Sequence, residues 1–353
     1  GVQSCAGAYS CPGCRGGRTG AARWYQPLPA AAAGPAVVVG SRAYVPVRDE
    51  YGTIYEFDLT TGVRRGRIRI GQPVGPAAAV RPGTDQRVAA ADARRVYVIE
   101  AGTREGEGDD PRCIQVIATG HPAGTLRTPP VFVGPEGEGA GERWLVLAQA
   151  DGPTSMLLRA FPLTAIPPPS ADGKLPPETP AAPAVELPVP GWAWFPSVGD
   201  GDRLAVATDA GQFRLFGVNQ PGNFDRPLFP LPTPDLPAPP AGTAVPGLAL
   251  PAEEAAFWVL AGGELRKYRL GLVPARGLEV MPVGPRMPLG VPTQLPQLNN
   301  RRDAACVVVR SANAAGSTAV LIDLRDGEVR WRRQLGLVPA AAPIPQDVGV
   351  LLV

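Results

Sequence analysis

Leu321-Ile322-Asp323-Leu324-Arg325-Asp326-Gly327-Glu328-Val329-Arg330-Trp331 carries an Asp, a Gly four residues later and a Trp four residues after that. An Asp ending a strand can accept hydrogen bonds from turn amides, and a Gly supplies the positive φ of a tight hairpin. A Trp on the following strand offers a broad apolar surface to a neighbouring sheet. The stretch therefore reads as strand, turn, strand, with Trp331 expected to lie buried against the next unit. Asp58-Leu59-Thr60-Thr61-Gly62 repeats its first half, with Gly66 where the Trp would stand, and Thr19-Gly20-Ala21-Ala22-Arg23-Trp24 repeats its second half.

Working outward, four glycines mark the same local event. Gly52, Gly211, Gly263 and Gly316 each follow an apolar run and precede another strand-like run. Their spacings are 263 − 211 = 52, 316 − 263 = 53 and 211 − 52 = 159, three times 53. Two further units belong between Gly52 and Gly211, and Arg87–Ala91 with Val96–Ile99 and Trp144–Ala148 with Met156–Leu158 supply them. A period near fifty residues with several short strands per unit is the signature of a β-propeller, because one four-stranded sheet cannot cover both of its faces until neighbours stack on it.

The Asp-Gly-Trp spacing resembles the tryptophan-docking repeat of the pyrroloquinoline quinone (PQQ) type, quinoprotein-like propellers. Only the last unit is complete, and because the chain has no adjacent cysteines the resemblance is to the non-dehydrogenase branch. It implies blades of four antiparallel strands, with Asp58, Gly62, Gly20, Trp24, Asp323, Gly327 and Trp331 as the structural motif. Strand quartets give six units, at 35–70, 74–118, 129–189, 193–230, 243–284 and 288–335. Residues 338–353 read as two strands and residues 1–28 as two more, so joining them makes an expected seventh blade. The alternative is a fragment of an eight-bladed propeller, since the chain begins at Gly1 and stops in a strand-like run. The Pro-rich stretches 165–183 and 230–241 read as surface excursions between strands.

Composition narrows the function classes. Pro (44) and Gly (43) make about a quarter of the 353 residues, which suits many short strands and tight turns rather than helices. Lys and Arg total 34 against 32 Asp and Glu, a net charge of +2, too balanced for a nucleic-acid partner. No apolar run is long enough to span a membrane. The chain lacks both an initial Met and a basic segment leading into an apolar one, so an address segment is expected to have been removed or never included.

Candidate chemistry is sparse. Cys5, Cys11 and Cys14 form a C-x5-C-x2-C group, and a Cys-x-x-Cys hairpin can give two thiolates to zinc. A second pair is missing, since Cys113, Cys306 and the single His121 are scattered, so a disulfide or free thiols are expected and no metal. His121 stands between Gly120 and Pro122 without a nearby partner, which leaves a Ser-His-carboxylate triad without its base. Asp200, Asp202 and Asp209 cluster in sequence and read as turn residues. Trp192 and Trp194 could form a stacking platform, although alternating tryptophans in a propeller read more simply as inter-blade packing.

A quinoprotein dehydrogenase, by the family resemblance, would need adjacent cysteines over the quinone and a Glu, Asn and Asp set on calcium, and neither is recoverable here. The resemblance implies instead a non-catalytic, extracytoplasmic module of the periplasm or cell envelope, a scaffold that binds a protein or peptide on one propeller face. Its relatives include the outer-membrane assembly lipoprotein and kinase-fused sensor domains, which work by contact. The alternative is an enzyme, either a degenerate quinoprotein with PQQ and calcium or a propeller hydrolase.

Overall fold

A computed structural model describes residues 13–16, 22–34, 36–75, 78–80, 87–101, 111–126, 128–134, 143–164, 176–180, 182–194, 198–200, 202–219, 227–233, 246–252, 256–274, 277–294, 296–298, 303–310, 316–335, 344–346 and 349–352. Its strands run β1 (Gly13–Gly16), β2 (Ala22–Tyr25), β3 (Val37–Val39), β4 (Arg42–Pro46), β5 (Thr53–Asp58), β6 (Arg64–Arg69), β7 (Ala78–Val80), β8 (Arg87–Ala91), β9 (Arg95–Glu100) and β10 (Arg112–Ala118). There follow β11 (Val131–Val133), β12 (Trp144–Ala150), β13 (Ser155–Pro162), β14 (Glu178–Pro180), β15 (Val185–Pro190), β16 (Val198–Asp200), β17 (Arg203–Ala207), β18 (Phe213–Val218), β19 (Leu228–Leu231) and β20 (Leu248–Pro251). The last are β21 (Ala256–Ala261), β22 (Glu264–Val273), β23 (Gly277–Pro288), β24 (Val291–Pro292), β25 (Gln297–Leu298), β26 (Ala304–Arg310), β27 (Ser317–Asp323), β28 (Val329–Leu335), β29 (Ile344–Gln346) and β30 (Gly349–Leu352).

These strands make an all-β propeller. Its first blade is β3-β4-β5-β6, its fourth β16-β17-β18-β19 and its fifth β20-β21-β22-β23, each a simple meander. The third is β11-β12-β13-β15. In the second blade, β7-β8-β9-β10 is extended by β14, which leaves the third blade between β13 and β15 and pairs parallel with β10. In the sixth, β26-β27-β28 is preceded by an inner strand broken into β24 and β25.

The expectation of seven uniform blades of four antiparallel strands is thereby corrected, as is the eight-bladed alternative. Six blades are built from consecutive runs of chain, and they are unequal because the Pro-rich insert lends β14 to one and the inner strand of another is interrupted. The remaining strands, two short ones from each end, form a separate small sheet in the order β2-β1-β30-β29, with Gly13 opposite Leu352 and Gly16 opposite Gly349.

The core lies between blades rather than inside any one of them. Along β8, Val88 and Ala90 join the cluster shared with the first blade, whereas Ala89 and Ala91 join the cluster shared with the third. Successive side chains on a strand point to opposite faces, so a strand with both faces covered must be apolar throughout. That is why Val88–Ala91 reads as an unbroken apolar run and is buried along its length, while the buried Arg87 before it donates to Thr164 O. Equivalent clusters join the third blade to the fourth, the fourth to the fifth and the fifth to the sixth.

In the first, second, third and fifth blades the connection leaving the blade packs on the turn between its second and third strands. The amides of Ile70 and Gly71 donate to Tyr51 O, that of Gly120 to Arg94 O, that of Gly191 to Thr154 O, and those of Leu289 and Gly290 to Gly263 O. Connections and these turns therefore share one face of the propeller. The four period-marking glycines all lie in such turns with positive φ: 58° at Gly52, 70° at Gly211, 83° at Gly263 and 114° at Gly316.

Candidate binding face

On that shared face, Gly191-Trp192-Ala193-Trp194 carries the chain from the third blade to the fourth. Ala193 turns into the core between the two blades, so its neighbours are turned outward. Trp194 is 47% exposed and Trp192 half-buried, which corrects the expectation that both are inter-blade packing. Gly191 adopts φ +80°, and a Cβ there would stand 2.7 Å from that of Ala210 and 2.8 Å from Thr208 Oγ1. Only glycine lets the connection lie this close to the β17–β18 turn.

Asp209, in that turn, holds the Trp192 backbone and the Trp194 indole. Its Oδ1 accepts from the Trp192 amide at 2.7 Å and its Oδ2 from Trp194 Nε1 at 2.8 Å. Its own amide donates to Trp192 O at 3.0 Å. Trp192 Nε1 donates to Gly152 O of the third blade at 3.2 Å. With their N–H groups held internally, the rings offer apolar faces in a fixed orientation, an arrangement that loses little side-chain freedom on contact. The sequence signal for exposure was the position of the pair in a connection just after Pro188 and Pro190, outside any strand.

Asp202 and Asp209 lie at opposite ends of β17, one before it and one after, and Asp202 pairs with Arg203 at 3.7 Å. Asp200 ends β16, opposite Arg203 of β17.

His121 belongs to the same face but is buried. Its Nε2 donates to Asp92 O at 3.0 Å, and Nδ1 lies against the Thr119 hydroxyl, which is also within 3.0 Å of Arg94 O. The Asp92 carboxylate in turn takes the amides of Arg94 and Arg95 and the hydroxyl of Tyr97. Arg159, from the third blade, donates to Thr119 O at 2.8 Å. Both ring nitrogens are committed, which makes the imidazole a clasp between a connection and the β8–β9 turn rather than a base facing a substrate.

Desolvation foremost, with the Arg159 charge nearby, lowers the His121 pKa below its ordinary value despite the Asp92 contacts. The unfolded chain then takes up a proton near pH 6.5 that the folded chain refuses, so stability falls as pH drops from about 6.5 toward the folded value. His121→Gln is expected to shrink the fall in urea midpoint between pH 7.5 and 5. An unchanged fall would assign it to other groups.

The Asp-Gly turns lie between third and fourth strands. Asp58 Oδ1 accepts from the amides of Thr60 and Thr61 at 2.9 Å each, and Gly62 N donates to Asp58 O. Desolvation raises the Asp58 pKa, but the Thr61 amide and Arg65 guanidinium outweigh it and the net shift is downward. Asp323 accepts from the Arg325 amide at 3.0 Å, and Gly327 N donates to Asp323 O at 2.8 Å. The guanidinium of Arg325, joined by that of Arg330, holds Asp323 far below the usual carboxylate range.

The tryptophans that dock on these turns come from the preceding sheet. Trp24 is buried and donates from Nε1 to Leu59 O at 2.9 Å, and a Cβ on Gly62 would stand 2.5 Å from its indole. Trp258 does the same in the last unit: Nε1 reaches Leu324 O at 2.8 Å, and a Cβ on Gly327 would stand 2.3 Å from Cη2. Trp331, the motif's own tryptophan, sits opposite Leu321 on β28 and is only half-buried, against the outer part of the sixth blade. Gly20 lies outside the described residues.

Cys5 and Cys11 also lie outside the described residues, and Cys14 is placed on β1 by its backbone. Cys113 and Cys306 are free thiols, each pushed up to about 12 by burial and so poor nucleophiles. Among the described residues no three His, Cys, Asp or Glu side chains converge on one point. Asn219, with φ 57°, accepts from Trp144 Nε1 at 2.6 Å. No helix among the described residues is long and apolar enough to cross a membrane.

No family model and no curated protein matches the sequence. Solved structures do. A protein from Lactobacillus plantarum is similar with a TM-score of 0.51 and 12% identity, over 98% of this chain and 100% of that one. BamB from Moraxella catarrhalis is similar at 0.47 and 12%, over 96% and 90%, and the β-propeller domain of Cps50 (Swd1) from Myceliophteria thermophila at 0.48 and 9%, over 90% and 98%. At these identities the likeness is one of fold alone.

Proposed function

We propose that this chain is a non-catalytic binding module that holds a protein or peptide on the face carrying the inter-blade connections. The supporting observation is Trp194, an exposed indole clamped by Asp209 on a rigid scaffold. Trp is enriched among residues that dominate binding energy at protein interfaces, and pre-orientation lowers the cost of contact. A scaffold role within the quinoprotein-like repeat group, and a cell-envelope location, belong to the same proposal through the Asp-Gly-Trp resemblance.

Site-specific photo-crosslinking in the producing cell tests it, with the probe at Ala210 on this face and at Asp326 in the turn between β27 and β28. One partner captured from position 210 alone is expected, and Trp194→Ala is expected to weaken that partner's binding at least tenfold without shifting the thermal midpoint. Equal capture from both positions, or affinity indifferent to Trp194, would count against the reading. Cell fractionation checks the location.

A further inference from the structure

The outer edges of the six blades are not treated alike. β15 carries Pro188 and Pro190, β19 carries Pro230, and β23 carries Pro282, Pro285 and Pro288. Proline cannot donate to a strand ladder, so these edges are blunted. The edge of β10 is covered by β14. Only β6 and β28 are free of proline, and both carry arginine instead.

β6 is the more open of the two. Four of its six residues are arginine, and among the described residues it pairs only with β5. Its register shifts between Glu56 and Phe57: Arg69 stands opposite Thr53, Arg67 opposite Tyr55 and Arg64 opposite Phe57. Without the shift, Arg64 would fall on the other face with Gly66 and Ile68. The bulge therefore gathers Arg64, Arg67 and Arg69 on one face.

Among the described residues none of these three makes an ion pair, although Asp49 and Glu50 stand in the turn near Tyr51. Glu56 is taken by Arg42 and Asp58 by Arg65. Arg64 lies over the Tyr55 ring at 5.6 Å and Arg69 over the Tyr51 ring at 5.2 Å, contacts that hold the guanidinium groups extended without cancelling charge. In β28, by contrast, Arg330 is bound to Asp323 and Arg332 reaches Pro288 O.

We propose that β6 is a docking edge for an extended acidic segment of a partner protein, which adds as a strand to the first blade. Side chains on one face of a strand recur every ~6.8 Å, so alternate carboxylates on an added strand would fall beside Arg67 and Arg69. Backbone pairing along the free edge would supply affinity and the arginines selectivity. The site is separate from Trp194 and does not depend on the reading of that face.

The probe is a fluorescein-labelled peptide of about ten alternating Glu and Thr residues, long enough to span β6. Binding is followed by anisotropy, and the β6 amides by hydrogen exchange. Saturable binding with slowed exchange in β6 is expected. Arg67→Glu with Arg69→Glu should weaken it at least tenfold, Arg67→Lys with Arg69→Lys should restore most of it, and Arg332→Glu with Arg333→Glu should leave it unchanged. All variants change exposed side chains, and an unchanged thermal midpoint confirms folding.

Each opposing result overturns the proposal. Equal binding by a peptide with a central proline would show plain charge attraction without strand addition. Binding to phosphatidylserine vesicles with the same arginine dependence, and none to the peptide, would assign the edge to a membrane surface. No binding to either would leave the arginines as guards against edge-to-edge association.

Discussion

Replacing Trp258 with alanine is expected to lower the unfolding free energy by about 3–5 kcal/mol, the range for truncating a buried aromatic. Trp258 is buried in the cluster between the fifth and sixth blades, donates to Leu324 O and carries Lys267 over its ring at 5.4 Å. Its removal opens a cavity above Gly327 and leaves a buried carbonyl without its donor. Trp331→Ala, at a half-buried site, is expected to cost only about 1–2 kcal/mol. Urea unfolding of the two variants side by side measures the difference. A larger loss at Trp331 would mean that the motif's own tryptophan, and not the one lent by the preceding blade, secures the turn.

Gly52→Ala is the second large effect, expected at about 2–4 kcal/mol from the left-handed backbone together with overpacking. Gly52 has φ 58°, and a Cβ there would stand 1.9 Å from Gln72 O, a backbone atom of the connection to the second blade. Neither side can yield without moving main chain. Gly71 supplies the control, because its φ of 88° is equally unfavourable for alanine but nothing lies within 4 Å of its Cβ position. Gly71→Ala should therefore cost only about 1–2 kcal/mol. Equal losses at the two positions would show that conformation alone, and not the close approach of the connection, requires glycine at position 52.

The four glycines were legible because their constraint is local. The turns that hold Gly52, Gly211, Gly263 and Gly316 use a positive φ, which favours glycine, so these four could be found by spacing alone. The Asp-to-Gly turns were legible for the same reason: Asp58 and Asp323 bond amides two or three residues away. What spacing could not reveal was the identity of the docking tryptophan. Trp331 follows Gly327 in sequence, but Trp258 fills the space above it from a different blade, and contact across blades leaves no fixed offset in the chain. The strand β14 escaped notice because Glu178-Thr179-Pro180 has no apolar alternation, and its pairing partner rather than its composition makes it a strand. Trp194 was misread because alternation of Trp192 and Trp194 suggests a strand, whereas Ala193 is the residue that enters the core.

The pairing of Gly13–Gly16 with Gly349–Leu352 joins strands more than 330 residues apart along the chain. At about 5–20 residues per second, tens of seconds separate the two on the ribosome. Each new blade can cover the flank of the one before it as it emerges, but the flank of the first blade that faces away from the second is covered by the sheet that both ends of the described chain share. That flank holds Val45, Tyr55 and Phe57, the residues that later pack with Trp24. Until Gly349–Leu352 arrives to brace β1, and through β1 the strand that bears Trp24, this apolar flank belongs to an open arc. The nascent chain is thus open to misassociation at this flank until the late strand arrives.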